Sequence, residues 1–158
     1  MVEIGANQGV FAFEVARTTQ IEQIIATDYD IQAVNEMYKK LMTKNKEQNN
    51  ITPLVLDFVK ENVESLKKYR SDLVVANALT HHIILAQYMK VHAVMERLDA
   101  LTNRYVIVEF MPNGVYQGLN LPKWYTLDWF LDALKMHFDV LSCQKIESNR
   151  IVIIGEKR

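Results

Sequence analysis

Short apolar segments alternate with amphipathic ones along the whole chain of 158 residues. The apolar segments have the length and residue types of β-strands, whereas the amphipathic ones repeat apolar residues at helical spacing. The last two strands, at about 138–146 and 150–156, break the alternation, because the short segment between them leaves no room for a crossover helix. The pattern therefore predicts a mostly parallel α/β sheet with helices on both faces and an antiparallel hairpin at its end.

The other strands predicted from apolar runs lie at about 2–5, 23–28, 51–56, 72–77 and 105–111. The helices predicted from helical spacing lie at about 9–19, 30–46, 60–69, 81–102 and 126–137. The longest of them is expected to be continuous, because Ile84, Tyr88 and Val91 share its apolar face. Pro53 cannot donate to a β-ladder, so the third strand is expected either to lie at an edge of the sheet or to begin at the proline. No repeat or second domain is evident, and residues 1–158 are expected to form one domain.

The composition limits the ligands, membrane segments and cysteine-based sites that the protein can have. A formal net charge of -1 provides no electrostatic attraction for nucleic acid or for an anionic membrane. No apolar run approaches the roughly 18 residues that a membrane span needs, and no signal peptide precedes the first strand, so we expect a cytoplasmic protein. The one cysteine, Cys143, excludes an internal disulfide and a multi-cysteine metal site, and its apolar surroundings predict a core position.

Residues 2–11 have the pattern of a strand, a turn with glycines four apart, and a helix. Gly5 would permit the tight turn, and Gly9 would let the start of the helix lie close to a ligand. Such a corner binds nucleotide-like ligands through backbone N–H groups. Asn7 takes the place of the second glycine of a dinucleotide-binding turn, and the Gly-Lys pair of a phosphate-binding loop is absent. Glu3 favours a ligand that carries an ammonium group, although glycine-rich first turns also occur in many other α/β folds.

Two aspartates follow later strands at the same predicted edge of the sheet. Asp28 ends the second strand, where a carboxylate can accept both hydroxyl hydrogens of a ribose. Because Asp30 can cap the next helix, Asp28 is free for this role. Asp57 ends the third strand, where it could accept a hydrogen bond from an adenine amino group while Phe58 packs on the base. A helix-capping role is the alternative for both, and for Asp57 the two roles are equally supported.

In their order and spacing, these features resemble the class I S-adenosylmethionine-dependent methyltransferases. The resemblance covers essentially the whole chain and includes the terminal hairpin. It implies a Rossmann-like, doubly wound, mostly parallel seven-stranded sheet with strand order 3-2-1-4-5-7-6, and S-adenosylmethionine as the cofactor. The cofactor-binding residues that it implies are Glu3, Gly5, Ala6, Asn7, Gln8, Gly9, Asp28, Tyr29, Asp57, Phe58, Asn77 and Ala78.

A narrower resemblance involves residues 72–83 and 107–112. The first contains an Ala-Leu-Thr-His-His segment after strand four, and the second an Ile-Val-Glu-Phe-Met-Pro segment at the end of strand five. Both look like segments of a loosely characterised bacterial group that includes nodulation-type methyltransferases.

The candidate catalytic residues are His82, His81 and Glu109. If the acceptor is a hydroxyl or an amine, a general base near its proton adds rate, and histidine suits that role near neutral pH. Adjacent residues of a helix point about 100° apart, so only one histidine can face the pocket, and we favour His82. Glu109 could orient a histidine, contact the acceptor, or only pair with a helix N-terminus, and a structural role is the alternative for either histidine. Two adjacent histidines on a helix lack metal-ligand geometry, so no metal is expected.

We therefore expect a methyltransferase that acts on a small-molecule, glycan or other non-nucleic-acid acceptor. The loop at 113–125 is expected on the acceptor side, where its aromatic residues Tyr116, Trp124 and Tyr125 either stack on the acceptor or only anchor the loop. Because strand one begins at residue 2, the chain is also expected to lack the N-terminal helical segment that usually covers the cofactor in this family. The alternative is a non-catalytic, S-adenosylmethionine-binding scaffold or partner subunit. A nicotinamide-dependent oxidoreductase is disfavoured by Asn7 and by the terminal hairpin.

Overall fold

The computed structural model describes residues 1–43, 50–114 and 121–158. The described strands are β1 (Val2–Ile4), β2 (Ile24–Asp28), β3 (Ile51–Val55), β4 (Ser71–Ala76), β5 (Thr102–Phe110), β6 (Phe138–Glu147) and β7 (Arg150–Lys157). The described α-helices are α1 (Val10–Thr18), α2 (Ile31–Thr43), α3 (Val63–Leu66), α4 (Val91–Leu101) and α5 (Leu127–Leu134). A 3-10 turn, Lys67–Tyr69, follows α3, and a π-helical turn, His82–Ala86, lies between β4 and α4.

The strands form one seven-stranded sheet in the order β3-β2-β1-β4-β5-β7-β6. Neighbouring strands from β3 to β5 are parallel, whereas β7 runs antiparallel to both β5 and β6. The doubly wound order and the terminal hairpin predicted from the sequence are therefore confirmed. Strand β3, which contains Pro53, lies at one edge of the sheet, as the proline predicts.

The apolar side chains form two separate core clusters, as expected for a sheet covered by helices on both faces. In one cluster, Phe13 of α1 and Met37 of α2 pack with Ala26 of β2. In the other, Leu98 of α4 and Phe130 of α5 pack with strand residues from the centre of the sheet. The helices before β3 and those after it thus bury different parts of the sheet.

The helix predicted over 81–102 is not continuous, so that prediction was wrong. After the π-helical turn the chain reverses at Tyr88, whose φ is 57°, and α4 begins at Val91. Tyr88 is 86% exposed and does not join the apolar face to which its spacing assigned it. Ile84 and Val91 are both buried on either side of the break. Because the apolar spacing continues across it, periodicity alone cannot detect the break.

Cys143 is exposed, which contradicts the prediction of a core position. It lies on β6, the outermost strand of the hairpin, and every residue of that strand from 143 to 147 is exposed. An apolar run therefore predicted the strand correctly but not its burial, which depends on the position of the strand in the sheet.

Two expectations fall partly on residues outside the described ranges. These are the end of the helix predicted over 30–46 and residues 115–120 of the aromatic loop predicted at 113–125, which include Tyr116. Within 1–43, 50–114 and 121–158, no helix combines the length and the apolar character needed to cross a bilayer.

Replacing Gly9 with alanine is expected to destabilise the fold. Gly9 has φ of 80°, and a Cβ there would lie 2.7 Å from Cγ and 2.9 Å from Sδ of Met37. Left-handed strain and overpacking together should lower the free energy of unfolding by about 2 kcal/mol, measured by urea denaturation. Gln8→Ala, at the exposed neighbouring position, should change the free energy by less than about 0.5 kcal/mol. Equal free energies of unfolding for the two variants would show that a side chain at position 9 meets neither backbone strain nor a clash with Met37.

Candidate functional site

A cleft of about 510 Å³ opens where the first strands of the sheet end. It is bordered by Gly5 after β1, by Tyr29 after β2, and by Asp57 and Phe58 after β3. His82, in the π-helical turn after β4, also lines it. This is the point in a doubly wound sheet where the strand order reverses, and such folds bind ligands there.

The turn that follows β1 approaches the turn that follows β4 closely. Gly5 has φ of 72°, and a Cβ at this position would lie 3.1 Å from Cδ1 of Leu79. A residue with a side chain would thus meet both left-handed strain and a tight contact. Gly9 differs from the prediction, because its missing Cβ leaves room for Met37 of α2 rather than for a ligand.

Two buried carboxylates hold these turns. Oδ2 of Asp28 accepts a hydrogen bond from the backbone N–H of Asn7 at 2.8 Å, and Oε2 of Glu109 accepts one from that of Ala78 at 2.7 Å. Asn7 and Ala78 have φ of 50° and 49°, a region that non-glycine residues rarely adopt. Each carboxylate therefore stabilises a strained backbone conformation at the edge of the cleft.

Asp28 is engaged by the backbone through both of its oxygens. Besides the bond from Asn7, Oδ1 accepts a hydrogen bond from the backbone N–H of Asp30 at 3.0 Å. Asp30 in turn accepts one from the N–H of Gln32, so it caps α2 as the sequence predicts. Asp28 is buried, and it is not among the residues that border the cleft in the ligand-free protein.

Asp57 borders the cleft and also holds the turn that follows β3. Its Oδ1 accepts hydrogen bonds from the backbone N–H groups of Val59 and Lys60, each at 3.1 Å. Its Oδ2 lies 3.1 Å from Nζ of Lys60. Burial opposes ionisation, but the hydrogen bonds and the charge of Lys60 outweigh it and lower the pKa of Asp57. The neighbouring Phe58 is mostly buried in the core while it lines the cleft.

Glu3 is a buried carboxyl in the central strand β1. It is 4% exposed, and its Oε2 has no hydrogen-bond partner among the described residues. The pKa of Glu3 is raised to about 7, mainly by burial, while a backbone hydrogen bond with Ala12 opposes the rise and the nearby Asp28 contributes to it. Near neutral pH this carboxyl is therefore poised between its charged and neutral forms.

The two histidines after β4 have different environments although their rings are only 4.2 Å apart. His81 is 2% exposed, and its Nδ1 lacks a hydrogen-bond partner in the described structure. Burial, with the added repulsion of His82 and Arg150, lowers the pKa of His81 to about 4, so it is neutral at pH 7. His82 is exposed and lines the cleft. The described ranges contain no group of three or more His, Cys, Asp or Glu side chains that could hold a metal ion.

Glu109 does not line the cleft, and its contacts are structural. It is 4% exposed, and Oε1 lies 3.2 Å from a guanidinium nitrogen of Arg150. Its backbone carbonyl accepts a hydrogen bond from the hydroxyl of Thr80 at 2.6 Å. Together with the bond from Ala78, these contacts tie the turn after β4 to strands β5 and β7. Glu109 thus pairs with a turn N–H and a guanidinium rather than with a histidine.

The structure brings together only some of the residues predicted to bind the cofactor. Those that border the cleft are Gly5, Tyr29, Asp57 and Phe58. Those that do not are Glu3, Ala6, Asn7, Gln8, Gly9, Asp28, Asn77 and Ala78. Asn7 and Gln8 border a separate polar pocket instead, together with Asp30. Four of those that do not border the cleft, Glu3, Ala6, Gly9 and Asp28, are buried, so a position near a strand end does not by itself give a residue access to the cleft.

Sequence reasoning missed the apolar walls of the cleft. Ile4 is the last residue of β1 and Leu56 follows β3 directly, so their positions at strand ends could have identified them. Ile83, Ala86 and Gln87 belong to the π-helical turn or follow it directly. Their placement depends on that turn, which a helical periodicity does not reveal.

The fold is shared with solved S-adenosylmethionine-dependent methyltransferases. A magnesium protoporphyrin IX methyltransferase from Synechocystis PCC 6803, solved with S-adenosylmethionine, has a TM-score of 0.72 at 13% identity over 99% of this chain and 69% of its own. A methyltransferase from Aquifex aeolicus has a TM-score of 0.71 at 11% identity over 99% and 81%. The fibrillarin pre-rRNA processing protein of Methanococcus jannaschii has a TM-score of 0.74 at 13% identity, over 99% of this chain and 65% of its own. No protein-family model and no curated protein sequence matches the chain. Identities this low establish the class I methyltransferase fold and not the reaction.

Glu3→Gln is expected to stabilise the free protein at alkaline pH. The folded-state pKa of about 7 lies above the ordinary value of 4.5 for this side chain, so the wild-type carboxyl favours the folded state most below pH 4.5 and loses that contribution as the pH rises through 7. The uncharged variant lacks this loss. Relative to wild type, its free energy of unfolding should therefore rise by up to about 3 kcal/mol between pH 4.5 and pH 8.

Urea unfolding of both proteins across this pH range measures the effect. Glu22→Gln, which removes an exposed carboxyl, is the matched control and should follow the wild-type pH dependence. A constant difference between Glu3→Gln and wild type at every pH would contradict the raised pKa.

Proposed function

We propose that this chain is an S-adenosylmethionine-dependent methyltransferase whose cofactor lies in the cleft. The observation that carries the proposal is Glu3, a buried carboxyl two residues before the glycine turn, with an oxygen that has no partner in the described structure. A desolvated carboxyl ionises more readily when a cation comes close. The methionine part of the cofactor carries an ammonium group and a sulfonium, which supply that positive charge.

The other groups around the cleft suit the rest of such a ligand. Each oxygen of Asp28 accepts one backbone hydrogen bond and keeps a second lone pair, which a ribose hydroxyl can use. Asp57 and Phe58 offer a carboxylate and an apolar ring at the end of β3, where an adenine would lie. The cleft volume of about 510 Å³ lies within the usual range for small-molecule sites.

His82 is the proposed general base. The bound cofactor would supply an activated methyl group with a good leaving group, so the protein has to position the acceptor, exclude water and remove a proton. Of the two adjacent histidines, His82 lines the cleft, whereas His81 is buried and neutral behind it. Glu109 then acts as a positioning residue, because it holds the turn at Ala78 that leads to His82.

The proposed acceptor is a small molecule, a glycan or another acceptor that is not a nucleic acid. The net charge of -1 supports this choice, since binding to a phosphate backbone relies on clustered positive charge. One similar structure is named as a magnesium protoporphyrin IX methyltransferase and another as a pre-rRNA processing protein, so both kinds of acceptor belong in an assay panel. The Ala-Leu-Thr-His-His segment at 78–82 supports membership of the nodulation-type group.

S-adenosylhomocysteine should raise the melting temperature of the protein. At a concentration of 100 times its Kd, a ligand that binds only the folded state adds about 2.7 kcal/mol, or roughly 5–10 °C for a chain of this size. Asp28→Ala should abolish the rise because it removes the proposed ribose acceptor. Asp30→Asn is the matched control, since its exposed carboxylate only caps α2, and it should keep the rise.

Calorimetric titration of the folded variants separates lost binding from lost stability. No heat and no thermal shift with S-adenosylhomocysteine would refute the proposed cofactor, and tight binding of a nicotinamide dinucleotide would favour the oxidoreductase alternative. Binding without methyl turnover across hydroxyl, amine, glycan and RNA acceptors would favour the non-catalytic alternative.

His82→Ala should lower methyl turnover about 10²- to 10⁴-fold while the thermal shift with S-adenosylhomocysteine persists. The reason is that the variant loses the base but keeps the groups that hold the cofactor. Formation of S-adenosylhomocysteine from S-adenosylmethionine in the presence of an accepted substrate measures turnover. His137→Ala, a histidine just before β6, should leave turnover unchanged. Wild-type turnover in His82→Ala would rule out this histidine as the base.

A further inference from the structure

A second, mainly apolar groove lies on the other side of the π-helical turn from the cleft residues. It measures about 310 Å³, and its aromatic part is formed by Tyr88, Trp124 and Trp129. Ile83 of the turn borders the cleft, whereas the next residue, Ile84, borders this groove. We call it the aromatic groove. None of its residues borders the cleft.

Tyr88 occupies a position that the fold alone does not favour for tyrosine. It follows the π-helical turn at the left-handed position, where the N–H of Met89 bonds back to the carbonyl of Ile83 at 3.2 Å. Glycine or asparagine usually fills such a position, and for an aromatic residue the conformation is strained. The side chain is also 86% exposed, so it gains little from burial. Both disadvantages are accounted for if the ring contacts a ligand.

The tryptophans complete an exposed aromatic surface. Trp124 is 49% exposed, and its ring centroid lies 4.8 Å from that of Trp129. These are the two tryptophans of the chain, and both border the groove. Flat aromatic faces of this kind stack on planar rings, and a contiguous exposed group of them marks a binding surface.

The described lining of the groove favours an anion. It includes the cation Lys90 and no acidic residue. Helix α4 also begins here, at Val91, and Lys90 provides no side-chain cap for its positive end. The chemistry of the groove therefore complements an anionic group attached to a flat ring.

We propose that the aromatic groove binds a planar aromatic ring that carries an anionic group, at a site separate from the cleft. The ring stacks on Tyr88 and Trp124, and the anion lies toward Lys90. This site does not depend on the proposed methyl transfer, and it can be tested without any turnover.

The probe is 8-anilinonaphthalene-1-sulfonate, an anion with a planar naphthalene ring, titrated into the native protein first alone and then with S-adenosylhomocysteine added in excess. Because both tryptophans border the groove, binding should quench their emission and transfer energy to the dye. Tyr88→Gly should weaken binding at least tenfold without lowering the melting temperature, since glycine relieves the left-handed strain. Tyr88→Phe should keep the wild-type affinity, and so should Tyr38→Ala, which removes an exposed tyrosine on α2.

A separate variant tests the proposed contact between the anionic group of the ligand and Lys90. Lys90→Gln changes an exposed side chain and should weaken the dye about five- to tenfold, while the uncharged analogue N-phenyl-1-naphthylamine should bind the wild type and this variant alike. Displacement of the dye by S-adenosylhomocysteine, or wild-type affinity in Tyr88→Gly, would overturn the proposal. A change of the sedimentation coefficient in Tyr88→Gly would also overturn the proposal, because it would indicate that Tyr88 contacts a second copy of the chain in the wild-type protein.

Discussion

The cleft depends on the hydrogen-bonded position of β1 between β2 and β4. Val2 pairs in parallel with Ile25 on one side and with Val74 on the other, and every residue of β1 is buried. The chain leaves the sheet in opposite directions on the two sides of this strand, so the connections diverge and the strand ends stay open. The residues around the cleft are attached to those ends. Loss of the β1 ladder would therefore remove the site together with the centre of the sheet.

The open edge leaves backbone N–H groups that need acceptors, and buried carboxylates provide them. Asp28 accepts from Asn7 after β1, and Glu109 accepts from Ala78 after β4. Both donors have positive φ, 50° at Asn7 and 49° at Ala78, so the two acids hold strained positions with nearly the same φ. Glu3 lies between them on β1, and its Oε2 has no partner among the described residues. The acids near the site thus divide into two that hold its turns and one with an oxygen that no described group satisfies.

The strands and the terminal hairpin could be predicted because they depend on local patterns. Continuous apolar runs form buried parallel strands, and three residues between the last two strands permit only an antiparallel reversal. The helix break at Tyr88 could not be predicted, since Ile84 and Val91 preserve the apolar spacing on either side of it. The aromatic groove and the π-helical wall of the cleft both depend on this break, so they could not be predicted from the sequence either.

The sequence by itself determined the types of residue that meet at the edge of the sheet, because parallel strands place their carboxyl ends together. That is why Gly5, Asp57 and His82 were all predicted and all border the cleft. Only the tertiary structure decided which acids are free and which are occupied. Glu109 has a backbone donor and Arg150 as partners, whereas one oxygen of Glu3 has no partner in the part of the chain that the structure describes. The physical reason is that partners come from residues distant in the chain, which hydrophobic spacing and motif order do not encode.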